Sequence, residues 1–99
     1  MSAFAAKVEA AYAAAVAREI RVPEWELTLH IRPLTIAQLA RIQSEDDMAK
    51  RAVRVIQVRG RDSQGRAVLD EADFIALCTN GVGPYSPEII GRVAREIMG

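Results

Sequence analysis

The chain has 99 residues, and a chain of this size buries roughly 60 to 70 per cent of the surface that its unfolded form would expose. Hydrophobic residues make up 51% and charged residues 26%, a balance too apolar for a disordered protein. Thirteen basic and thirteen acidic side chains leave no net charge, so no overall field attracts nucleic acid or an anionic membrane. One small domain is therefore expected.

Cys78 is the single cysteine, which excludes an internal disulfide and any metal site built from several cysteines. This usage is consistent with a reducing cytoplasm. The spacing of Cys78 from Phe74 and Leu77 predicts a position in the core.

Residues 3–18 are predicted to form a helix, because alanine has the highest helix propensity and apolar side chains recur every four residues. The resulting stripe consists of Phe4, Val8, Tyr12 and Val16. Lys7 and Glu9 interrupt the apolar run, so we expect neither a signal peptide nor a membrane span. Two interpretations stay open: an amphipathic helix packed on its own core, and a helix held weakly by its own domain that rests on another subunit.

From residue 18 the apolar residues alternate with polar ones, which is the period of a half-buried strand. Pro23 cannot donate to a strand ladder, and Pro23-Glu24 is typical of a turn. The segments 19–22 and 26–32 are therefore predicted to pair as a hairpin over residues 19–32. Its apolar side is expected to hold Ile20, Val22, Trp25, Leu27, Leu29 and Ile31. Because two strands alone are marginally stable in water, helices must cover this side.

A helix over residues 35–43 is predicted by Thr35 at the N-cap and Gln38 at the capping-box position, with Leu34 and Leu39 spaced as a hydrophobic staple. Ser44, with Asp47 three residues later, predicts the start of a long helix over residues 45–59. Its buried face is expected to hold Met48, Ala49, Ala52, Val53 and Ile56, and its polar face Lys50, Arg51, Arg54 and Gln57. The β-branched residues near its end leave an extended strand as an alternative there.

Gly60 is a natural helix stop, and Asp62 to Gly65 has the composition of a turn. Asp70 with Asp73 predicts the start of a helix over residues 71–79, and Ser86 followed by proline predicts a last helix over residues 87–98. The last helix is expected to bury Ile89, Ile90, Val93 and Ile97. The predicted class is α+β and mainly α-helical: an N-terminal β-hairpin packed against four to five helices, with an alanine-rich leader (residues 1–18) and a domain over residues 19–99.

No segment carries the pattern of a catalytic or metal site. His30, the single histidine, falls on the polar side of a strand, and no nucleophile is placed by local sequence to use it. Asp62 to Gly65 lacks the later ligands of a calcium loop, and Gly81 to Pro84 lacks the lysine of a phosphate loop. We therefore expect no enzyme activity, no metal and no cofactor.

Positive charge is concentrated in the middle third of the chain. It comes from Lys50, Arg51, Arg54, Arg59, Arg61 and Arg66. A basic helix could contact phosphates, but no aromatic residues are interleaved for base stacking and the chain is neutral overall. A solvated helix face is the favoured interpretation, and nucleic-acid binding is the less favoured one.

Three segments carry a resemblance to a known family. They are Pro23-Glu24-Trp25 with the strand that leads to Arg32-Pro33-Leu34-Thr35, then Asp62 to Gly65 with Val68-Leu69, and then Asp70 to Phe74 with the last helix. In this order, over residues 18–98, they resemble the small tail assembly chaperones of long-tailed bacteriophages. The alanine-rich leader and the loop from Gly81 to Pro84 depart from the family pattern.

The resemblance implies a binding role without catalysis. Members of this family coat the tape measure protein during tail construction, keep it soluble, and yield as the major tail protein polymerises around it; many also self-associate. It also implies a place in the host cytoplasm and absence from the mature virion. Such a role needs exposed apolar surface, so Phe4, Val8, Tyr12 and Val16 are the predicted partner contacts. The alternative function is a small protein-interaction module, such as a head-tail connector or a bacterial regulatory adaptor.

Overall fold

The structure is a computed structural model that describes residues 2–99. It contains five α-helices and one antiparallel hairpin: α1 (Ala3–Ala14), β1 (Arg18–Val22), β2 (Leu27–Ile31), α2 (Ile36–Gln43), α3 (Met48–Arg59), α4 (Glu71–Asn80) and α5 (Pro87–Met98). Short 3-10 turns span Pro23–Trp25 and Gly83–Tyr85. The predicted class, a mainly helical α+β domain with an N-terminal hairpin, is confirmed.

The hairpin presents one apolar face to the core. Ile20 lies opposite Leu29 in the register, and both are buried. Trp25 belongs to the 3-10 turn rather than to a strand, but it is partly buried and packs against the same core, on the apolar side as predicted. Its indole Nε1 donates to the carbonyl of Pro84 at 2.7 Å. Glu26 takes a left-handed conformation, with φ of 52°, so the second strand begins at Leu27.

Helix α3 is the centre of the core, since it packs against α2, α4 and α5. Its buried apolar residues are Val53, Val55, Ile56 and Val58. A helix covered on several sides needs apolar residues around most of its circumference, which explains why this β-branched segment is helical and not extended. The alternative of a strand is therefore wrong.

Three predictions about α3 need correction. The helix begins at Met48, with Asp47 as its N-cap, and Ser44 instead ends α2. Met48 and Ala49, both predicted on the buried face, are exposed in this first turn, beyond the packed part of the helix, and Met48 is 82% exposed. Gln57, predicted on the polar face, is buried, because its Nε2 donates to Glu71 at 3.0 Å and so satisfies its hydrogen bonding inside the protein.

The other helix starts follow local signals. Thr35 and Gln38 form both bonds of a capping box, as do Asp70 and Asp73. Ser86 accepts from the amide of Ile89, with a proline at the first helical position. Helix α5 then buries Ile90, Val93, Ala94 and Ile97, whereas Ile89, predicted with them, is only partly buried.

Helix α4 has one buried residue, Phe74, and the predicted core position of Cys78 is wrong. Leu77, one turn from Phe74, packs against the core, so Cys78 points outward beside it. Partial desolvation by the surrounding residues nevertheless raises the pKa of the Cys78 thiol.

Gly60 ends α3 where the chain turns towards the sheet. A Cβ at this position would lie 2.6 Å from the carbonyl oxygen of Ile56, so only glycine fits. The next residue, Arg61, accepts a hydrogen bond of 2.8 Å from the His30 amide on the free edge of β2. The turn after α3 thus covers one edge of the hairpin.

Candidate partner-binding surfaces

Helix α1 buries none of its residues. Phe4 is 76% exposed, Val8 54% and Tyr12 43%. These three side chains, spaced four residues apart on one helix face, are called the N-terminal stripe below. The interpretation in which this helix packs on its own core is therefore not observed in the described residues.

The helix is attached to the domain near its C-terminal end. Arg32 donates to the carbonyl oxygen of Tyr12, and the Arg32 guanidinium lies over the Tyr12 ring, 4.5 Å from its centre. Such a cation–π contact adds to the attachment. At the other end, Ser2 caps the first turn by accepting from the amide of Ala5 at 3.1 Å. Phe4 and Val8 therefore stand clear of the domain.

Helix α1 ends at Ala14, so the predicted helix over residues 3–18 is too long. Ala15 is extended and Arg18 already begins β1. The pairing of β1 with β2 and burial of its apolar face override the helix propensity of the alanines. Val16, predicted as the fourth residue of the stripe, lies between helix and strand and is 89% exposed.

The shape of the molecule agrees with a helix set apart from the core. The Cα radius of gyration is 14.5 Å, with extents of 48 × 28 × 23 Å. A compact domain of ~100 residues has a radius of gyration of about 13 Å. The radius of gyration of this protein is larger than that value, as expected when a helix projects from the core.

A second apolar surface lies in a groove of about 650 Å³ between α3, α4 and α5, called the α3–α5 groove below. Small residues on the two flanking helices form part of its lining: Ala49, Ala52, Gly91 and Ala94. Met48 and Met98, both exposed, also line it, as do Leu77 and Cys78. Sequence reasoning missed this groove, because its lining residues come from three separate helices.

The basic residues of the middle third do not share one exposed face. Arg54 is paired with Glu45 at 2.5 Å and with Glu71 at 2.9 Å, and its guanidinium stacks on Phe74 at 3.6 Å. Arg59 is buried and donates to the carbonyls of Ile97 and Arg32. Burial and the nearby charge of Arg18 lower the pKa of Arg59. These two side chains serve packing and helix termination rather than an open basic surface.

His30 is half-buried, with Nδ1 3.8 Å from the carboxylate of Glu19. Within residues 2–99, no three His, Cys, Asp or Glu side chains are grouped so that they could hold a metal ion. No helix of this described part is long and apolar enough to cross a membrane.

Comparisons with protein-family models, with curated proteins and with solved structures found no match to this chain.

Proposed function

We propose that this protein is a tail assembly chaperone of a long-tailed phage or prophage, which binds the tape measure protein and keeps it soluble until the tail is built. The observation that carries the proposal is the N-terminal stripe, in which the domain contacts the Tyr12 ring and leaves Phe4 and Val8 uncovered. The resemblance of residues 18–98 to that chaperone family supplies the identity of the partner.

The side chains of α1 are suited to a contact that must later be released. A tape measure protein is long and helical, and an apolar helix face can pack against a second such face. Phe4, Val8 and Tyr12 supply the large side chains, while the alanines between them add little burial each. A helix pair of this kind is held by a few anchors, so the major tail protein can displace it during polymerisation.

Under this proposal the protein acts in the host cytoplasm, without catalysis, and is absent from the finished virion. The major tail protein is then a second, competing partner. Self-association of the chaperone is part of the same proposal, because an uncovered apolar face in one copy can also meet another copy.

Co-expression with the tape measure protein of the same genome tests the proposal. The double substitution Phe4→Asp and Val8→Asp places two charges in the stripe, and we expect it to abolish co-purification and to send the tape measure protein into the insoluble fraction. The reason is that a carboxylate buried in an apolar contact has no partner there.

The matched control is Ala6→Asp with Ala10→Asp, which adds the same charges on the opposite side of the same exposed helix. This variant is expected to co-purify as the unchanged chain does. Equal loss in both variants, or equal retention in both, contradicts a role for the stripe. If the unchanged chain fails to solubilise the tape measure protein, the function is that of another interaction module, such as a connector or an adaptor.

A further inference from the structure

We infer that the α3–α5 groove binds an acidic amphipathic helix of a partner protein. This surface is separate from α1, and the inference stands whether or not the tape measure protein is the partner. It rests on the shape of the groove and on an excess of unpaired positive charge along it.

The shape of the groove fits a helix. The groove follows α5 from Pro87 to Met98, which at 1.5 Å per residue is about 16 Å, or three helical turns. Alanine and glycine along its lining allow a helix backbone to approach closely, and the flexible side chains of Met48 and Met98 can adapt to the apolar residues of the guest.

The charges that line the groove favour an acidic guest. They are Lys50, Arg51 and Arg95 against a single acid, Asp47. Within residues 2–99, no carboxylate lies within 4.0 Å of these three cations, although other arginines of the same chain are paired. Asp47 is already the N-cap of α3, where it accepts from the Lys50 amide at 3.0 Å. A chain with no net charge thus has a positive rim around an apolar groove.

The α1 helix of a second copy fits this rim less well. Its charged side chains are Lys7 and Glu9, which cancel, so it offers no acidic face to Lys50 and Arg95. Arg51 is partly satisfied by the Glu45 carbonyl, but its charge is not neutralised by that contact. A partner helix with Asp or Glu beside its apolar stripe matches both features.

The native thiol of Cys78 reports on occupancy, since it is exposed and lines the groove. The probes are two synthetic amphipathic helices with the same leucine face, one with glutamate and one with lysine on the polar face. We expect the glutamate peptide to slow modification of Cys78 by a thiol reagent and the lysine peptide to leave it unchanged. Titration of a fluorescent form of each peptide gives the affinities.

The variant Lys50→Glu with Arg95→Glu should weaken binding of the glutamate peptide on the order of tenfold and favour the lysine peptide. Glutamate at residue 50 suits the first turn of α3, and circular dichroism verifies the fold of the variant. The control Lys7→Glu with Arg21→Glu makes the same change in net charge at exposed positions outside the groove and should bind as the unchanged chain does.

Equal protection by both peptides, no protection by either, or equal weakening in the control overturns the inference. Protection of Cys78 that rises with protein concentration alone would show that a second copy covers the groove, and this also overturns it. Because neither peptide is a tape measure segment, these outcomes are independent of the co-expression result.

Discussion

Glu24 and Arg92 join the hairpin turn to α5 through two parallel hydrogen bonds, each of 2.6 Å. The hydrogen bonds from Arg92 lower the pKa of the Glu24 carboxyl from 4.5 to about 2. Because the folded pKa is below the unfolded one, the pair stabilises the fold fully above pH 4.5, and this contribution is lost as pH falls towards 2.

The substitution Glu24→Gln tests this pair by its pH dependence. We expect a lower unfolding temperature than that of the unchanged chain at pH 6, and a difference that narrows below pH 4.5 and becomes small near pH 2, where about half of the folded molecules carry a protonated Glu24. Thermal unfolding followed by circular dichroism across this range measures it. The matched control is Glu9→Gln, which removes a carboxylate at an exposed position of α1, outside the Glu24–Arg92 pair. A pH-independent difference for Glu24→Gln would contradict the account.

The sequence separation of two contacting residues explains which contacts could be predicted from the sequence. The caps at Thr35, Asp70 and Ser86 were predictable, because each bonds to a backbone amide three residues away. The pairing of Glu24 with Arg92 was not, since the two residues are separated by most of the chain. The burial of Gln57 depends likewise on a partner, Glu71, in another helix.

At the scale of elements, the junction between α2 and α3 shows how two local signals compete. Ser44 and Asp47 both fit an N-cap, but the Ser44 amide donates to Ala40 and its hydroxyl donates to Arg41, which completes α2. Asp47 is then left to start α3. The geometry of the preceding helix, and not the type of residue, decides between them.

Paired substitutions test this assignment. Asp47→Ala should destabilise the protein by about 1 kcal/mol, because the first amides of α3 lose their acceptor. Ser44→Ala should change the unfolding free energy by less than about 0.5 kcal/mol, because it keeps the backbone hydrogen bond to Ala40 and removes only the exposed hydroxyl contact with Arg41. Urea denaturation measures both. A larger loss in Ser44→Ala than in Asp47→Ala would restore the earlier helix start.

At the scale of the whole molecule, the hairpin and the four helices after it were predictable from periodicity and turn residues, because each element buries one face on a common core. The length of α1 was not predictable, since its end is set by the pairing of β1 with β2. The α3–α5 groove was not predictable either, because residues from three separate helices line it.

These features give one account of the molecule: a small packed core that leaves apolar surface uncovered in α1. The core is the reason to expect that the chain folds without a partner, and the uncovered helix is the part proposed to bind the tape measure protein. An exposed apolar helix with few contacts should also open readily, so its amides should exchange with solvent before those of α3.

Hydrogen–deuterium exchange on the isolated chain and on its complex with the tape measure protein tests this claim most directly. In the isolated chain, the amides of residues 3–14 should exchange fast and those of residues 53–59 slowly. In the complex, residues 3–14 should become protected. Unchanged exchange over α1 in a complex that has formed would show that the partner binds elsewhere and would contradict the account.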